Sequence, residues 1–173
     1  MLFGENKSSP FRIWQKLIPK ASFLRLQGLL LQHKRTVMKE DFLPINGTDH
    51  IEFYVGNAKQ SALFYQHCMG FELVAYSGPE TGARDRASYV LQQNKIRFVL
   101  TTALQKDSEI AKHVQKHGDG VKVLALWVDD ARKSFYETTS RGADAASQPH
   151  VLKDEFGEVV MASIKTYGDT IHT

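Results

Sequence analysis

The sequence predicts an α+β fold in which two βαβββ modules form an open, curved β-barrel with the helices outside. Three observations predict it. A strand-to-helix pattern occurs twice, about 73 residues apart. Its first copy is His50-Ile51-Glu52-Phe53-Tyr54-Val55 leading into Gly56-Asn57-Ala58-Lys59-Gln60-Ser61, and its second is Val123-Leu124-Ala125-Leu126-Trp127-Val128 leading into Asp129-Asp130-Ala131-Arg132-Lys133-Ser134. A duplicated supersecondary unit restricts a fold more than any single motif does. Each copy is followed by further strand-like runs bounded by turn formers, and Gly118-Asp119-Gly120 separates the two sets.

The elements follow in order. From His50 to Val55 apolar and polar residues alternate, the mark of a half-buried strand. Ile51, Phe53 and Val55 share one face, and His50, Glu52 and Tyr54 share the other. Asn57 can cap the next helix and Gly70 can end it. Phe71 to Ser77 reads as a strand, and Gly78-Pro79-Glu80-Thr81-Gly82 as a loop. Arg86 to Gln92 and Ile96 to Thr102 form a hairpin over Gln93-Asn94-Lys95, where Asn94 can take a positive φ. Asp107 to His117 reads as a connecting helix. The unit then restarts: strand 121–128, helix near 130–141 ending at Gly142, strand near 145–152, a turn over Asp154 to Gly157, and strand 158–165. A last strand is expected to begin near Tyr167 and to be cut short at Thr173.

Charge divides the chain. Residues 1–39 hold eight of the 22 Lys and Arg and only Glu5 of the 19 acids, so the remainder is mildly acidic, with fourteen bases against eighteen acids. No basic face there argues for nucleic acid. One cysteine, Cys68, excludes an internal disulfide framework and fits a reducing, cytoplasmic setting. In isolation it reads as a small core residue. No apolar run reaches the roughly 18 residues of a membrane span. Residues 1–40 are expected to be a basic leader, either disordered or a wrong-start extension, since Met38 directly precedes the patterned region. An organelle transit peptide and a basic amphipathic helix are the alternatives. Residues 41–173 are expected to form the folded domain, with modules of about 46–104 and 119–173.

A non-haem iron site needs two His and one carboxylate on one face. His50 is a candidate first ligand on the polar face of its strand, but its repeat mate is Val123. Strand 121–128 has no donor before Asp129, and strand 96–102 offers only Arg97 and Thr101. A triad of His50, Asp169 and His172 is conceivable but disfavoured. His113 and His117 have metal-compatible spacing without a third partner, and so read as an exposed helix face. His67, His33 and His150 have no company. Phosphate-loop, calcium-loop and nucleophile-elbow patterns are all missing from the sequence. No residue is therefore assigned a catalytic, cofactor-binding or metal-binding role.

The module layout resembles that of the vicinal-oxygen-chelate superfamily. Within it, Phe53-Tyr54-Val55-Gly56-Asn57-Ala58-Lys59-Gln60, Gly78-Pro79-Glu80-Thr81-Gly82, Lys116-His117-Gly118-Asp119-Gly120-Val121-Lys122 and Thr166-Tyr167-Gly168-Asp169-Thr170 closely resemble the amino-terminal half of the 4-hydroxyphenylpyruvate dioxygenase family. They occur in that family's order over roughly residues 43 to 173. The resemblance implies an Fe(II) enzyme of tyrosine catabolism that converts 4-hydroxyphenylpyruvate, a 2-oxo acid, and dioxygen to homogentisate and carbon dioxide. It also implies that the iron ligands and the substrate pocket lie in a second barrel, and that the protein is a homo-oligomer. This chain is then a fragment covering the non-catalytic domain, with no cofactor of its own, no nucleic acid and no membrane partner. The alternatives are a hydroxymandelate synthase fragment, a stand-alone glyoxalase- or ring-cleavage-like member, and a non-enzymatic oligomerisation domain.

Overall fold

The computed structural model describes residues 41–154 and 157–173. The expected leader, His33 and the tip of the last hairpin lie outside the described residues.

The strands are β1 (Ile45–Tyr54), β2 (Glu72–Ser77), β3 (Arg86–Gln93), β4 (Ile96–Ala103), β5 (Gly120–Val128), β6 (Ala145–Asp154), β7 (Gly157–Lys165) and β8 (Ile171–His172). The helices are α1 (Ala58–Met69), α2 (Glu109–His117) and α3 (Ala131–Ser140). All eight strands form one open sheet in the order β2-β3-β4-β1-β5-β8-β7-β6. That order is the duplication made visible, because each half reads the same outward from the β1–β5 seam. β1 runs parallel to β4, and β5 runs parallel to β8. Across the seam the two first strands are antiparallel, with His50 opposite Ala125 and Tyr54 opposite Gly120.

The repeated turns act in the same way in both halves. Asn57 caps α1 by accepting from the Gln60 amide at 3.0 Å, and Asp130 caps α3 by accepting from the Lys133 amide at 3.0 Å. Such a cap satisfies a donor that the helix itself cannot pair. The turns also bind the halves together. The Asp119 carboxylate accepts from the Gly56 amide at 2.8 Å, and Asn46 donates to Asp129 at 2.7 Å. Asn46 and Asp119 are repeat mates, as are Gly56 and Asp129. The glycine-rich turns singled out in the sequence are thus clamps at the seam. Gly70 ends α1 at φ 73°, a conformation that costs glycine no Cβ clash.

The first half holds the denser core. Val55, Ala58, Ala62, Phe71, Leu91 and Leu100 form one buried cluster, with Phe53, Tyr65, Tyr89 and Phe98 packed on it. Phe98 stacks on Phe71 at 4.9 Å and meets Phe53 edge-on at 5.1 Å. Full burial of a side chain such as Leu91 or Leu100 contributes about 1.5–3 kcal/mol. The second half is thinner: Phe135 anchors α3, while Trp127 is 64% exposed.

Three expectations need correction. The first strand starts at Ile45, five residues early, because register shifts let the irregular stretch Gly47 to His50 stay paired with β5. The last strand starts at Ile171 rather than near Tyr167. Residues 167–170 close a tight turn, with Gly168 at φ 57° and the Thr170 amide donating to the Tyr167 carbonyl at 3.2 Å. Cys68 is exposed on α1 and is no part of the core. Other expectations hold: Asn94 takes φ 54° in the predicted hairpin, and the 78–82 loop contains a single 3-10 turn over Pro79–Thr81.

Candidate functional site

Alternation along β1, β3 and β4 sends Phe53, Leu91 and Leu100 toward α1 and their neighbours to the opposite face of the sheet. On that face lies a polar chain. Thr101, fully buried, donates to the Glu52 carboxylate at 2.7 Å. Ser88 lies 2.9 Å from the same threonine oxygen. An ionised carboxylate only accepts, so the Thr101 proton points to Glu52 and the Ser88 proton points to Thr101. In the second half Ser163 and Thr173 meet at 2.9 Å, repeating Ser88 and Thr101. The repeat mate of Glu52, however, is buried Ala125.

A facial iron triad takes two imidazoles and one carboxylate. Beside the Glu52 carboxylate the face offers hydroxyls, alanine and the single imidazole of His50, so among the described residues it does not present the two imidazoles that iron takes.

His50 does not complete such a set. Its Nδ1 lies 2.7 Å from Asp49, whose carboxylate also meets Arg97 at 3.4 Å. His50 and His172 do border one cleft of about 740 Å³ beside α3. Asp169, the third member of the conceivable triad, lies elsewhere. It accepts from Lys116 at 2.7 Å and contacts His117 Nε2 at 2.7 Å. Those two contacts, Lys116 first, hold the Asp169 carboxyl well below the usual carboxylate range.

The reading of His113 and His117 as lacking a third partner is corrected by that contact. The nearest ligand atoms of His113, His117 and Asp169 all lie within 4.8 Å of one another. The sequence hides this because Asp169 is 52 residues beyond His117 and arrives through the β7–β8 turn. Of the remaining histidines, His67 is exposed, while His150 has company after all, 3.0 Å from the Gln148 carbonyl. Among the described residues no helix is long and apolar enough to cross a membrane.

Two βαβββ modules joined back to back through their first strands define a vicinal-oxygen-chelate domain. Residues 40–172 match the family described as hydroxyphenylpyruvate dioxygenase, HPPD, N-terminal, and the chain belongs to that family. The 4-hydroxyphenylpyruvate dioxygenase of Aspergillus fumigatus is 44% identical over 141 residues, covering 73% of this chain and 35% of the relative. That of Danio rerio is 46% identical over 125 residues, covering 72% and 32%. The chain therefore spans about a third of the length of the curated relatives it matches. A solved triple mutant of 4-hydroxymandelate synthase from Streptomyces coelicolor superposes with a TM-score of 0.71 at 32% identity, covering 75% of this chain and 38% of that one. Methylmalonyl-CoA epimerase from Mycobacterium tuberculosis shares the fold alone, with a TM-score of 0.61 at 19% identity over 81% of this chain and 92% of that one.

Proposed function

We propose that this chain is the non-catalytic amino-terminal domain of a 4-hydroxyphenylpyruvate dioxygenase. The whole enzyme takes a 2-oxo acid, 4-hydroxyphenylpyruvate, with dioxygen to homogentisate and carbon dioxide in tyrosine catabolism, and works in the cytoplasm as a homo-oligomer. Fe(II) is its cofactor, held by a part of the relatives that this chain does not match. The observation that carries this reading is the inward face of the sheet. Glu52 stands alone there as a carboxylate, tied to Thr101, and Ala125 fills its repeat position.

The role left to the domain is architectural. The seam bonds Asp119 to Gly56 and Asn46 to Asp129 fix the two halves against each other. A rigid body of this kind supports a neighbouring barrel and presents strand edges for assembly. The likeness to 4-hydroxymandelate synthase favours a second reading in which the product is hydroxymandelate. That choice belongs to the same unmatched part, and product analysis of the whole protein separates the two.

Turnover tests the proposal. The purified chain, given Fe(II), ascorbate, 4-hydroxyphenylpyruvate and oxygen, is expected to form no homogentisate above the protein-free rate. Formation of homogentisate at a rate proportional to chain concentration would overturn it.

A further inference from the structure

We infer that His113, His117 and Asp169 form a binding site for a divalent ion of the zinc class, separate from the iron of the reaction. His113 and His117 are four apart on α2 and so share one face of the helix. Their rings lie 4.7 Å apart between centroids. Asp169 reaches them from the turn before β8, and its Oδ2 is already 2.7 Å from His117 Nε2. Two imidazoles and one carboxylate suit zinc and its neighbours in the transition series, with water as a fourth ligand.

The geometry is close to what such an ion requires. A tetrahedral ion with bonds of about 2.0–2.1 Å keeps its ligand atoms roughly 3.3 Å apart. The three atoms here lie within 4.8 Å of one another, so the farthest pair has at most about 1.5 Å to draw in to reach that spacing. Both supports of the site are held in place. The His113 ring stands edge-on against Tyr54 at 5.4 Å and 88°. The Asp169 turn is fixed by Thr166 Oγ1 donating to the Thr170 carbonyl at 3.1 Å and Thr170 Oγ1 donating to the Val121 carbonyl at 3.2 Å. Lys122 also donates to the Asp169 carbonyl.

Burial, helped by the Lys122 and His117 charges, pushes the His113 imidazole below its ordinary range, a direction that favours the neutral ring a metal takes. The opposing group is Lys116, whose ammonium occupies Asp169 at 2.7 Å. Its side chain is 67% exposed and can swing into water when an ion arrives. The bound ion would tie α2 to the β7–β8 turn more firmly than the ion pair does, because a surface ion pair contributes little.

Competition against a zinc-sensitive dye tests the site on the chelator-treated full chain. One zinc per chain is expected. His113→Ala and Asp169→Asn should each weaken binding at least tenfold, with unchanged far-ultraviolet circular dichroism. Lys116→Ala should tighten it, since the competing cation is gone. An ion-pair clamp without metal affinity predicts no zinc binding in the parent or in Lys116→Ala, and that result overturns the inference. Zinc binding that persists undiminished in His113→Ala overturns it equally. Both outcomes are independent of homogentisate formation.

Discussion

Thr101 is the residue on which the inner face turns. Its hydroxyl links Ser88 to Glu52, and Thr101 itself exposes no surface. A hydrogen bond to a charged group contributes about 1.5–3 kcal/mol, and a buried partner left unpaired costs a similar amount. Thr101→Val keeps the shape and removes the hydroxyl. It is expected to lower unfolding stability in urea by about 1–3 kcal/mol, with an unchanged slope. Stability within about 0.5 kcal/mol of the parent would mean the chain Ser88–Thr101–Glu52 holds nothing together. Alternation alone placed Glu52 on this face, but nothing local pointed to its partners. Thr101 lies 49 residues away and meets Glu52 only because β4 returns parallel to β1. The same distance effect hid Asp169 from His117.

At the scale of elements, the sequence was most legible where a local signal decides the backbone. Asn57 and Gly70 mark helix ends that the structure keeps, because the Asn57 side chain pairs an amide three residues on and Gly70 takes a left-handed turn without a Cβ clash, both of them local effects. Asn94 marked its hairpin for the same reason. Strand ends were less legible. β1 extends back to Ile45 because its pairing with β5 continues past bulges, and pairing is a property of two strands rather than of one. The Tyr167 stretch has strand-like chemistry, yet Gly168 turns the chain before β8 begins. The repeat compensated for these local errors. Once the two copies were aligned, the run of elements in the second module followed from the first, while the order of strands across the sheet came from the structure.

For the whole molecule, the open sheet has β2 and β6 as its edges among the described residues. Val74 on β2, Leu152 on β6 and Val159 on β7 are each about half exposed, as are several of their apolar neighbours. Unpaired strand edges flanked by apolar side chains template association with another chain. Light scattering at high concentration is therefore expected to give a mass above that of the 19.6 kDa chain. A single species at that mass would contradict the homo-oligomer proposed above. The family could be read from ordered turn motifs, and the structure accounts for two of those motifs as seam clamps. The shortage of iron donors was legible strand by strand, while the sequence concealed the Ser88–Thr101–Glu52 pairing, which shows only when the strands are laid side by side. Iron content tests that account most directly. The His113→Ala chain, free of the surface site, is loaded anaerobically with Fe(II), desalted and analysed for metal. No stoichiometric iron is expected, whereas one iron per chain that disappears when His50→Ala is added would contradict the account.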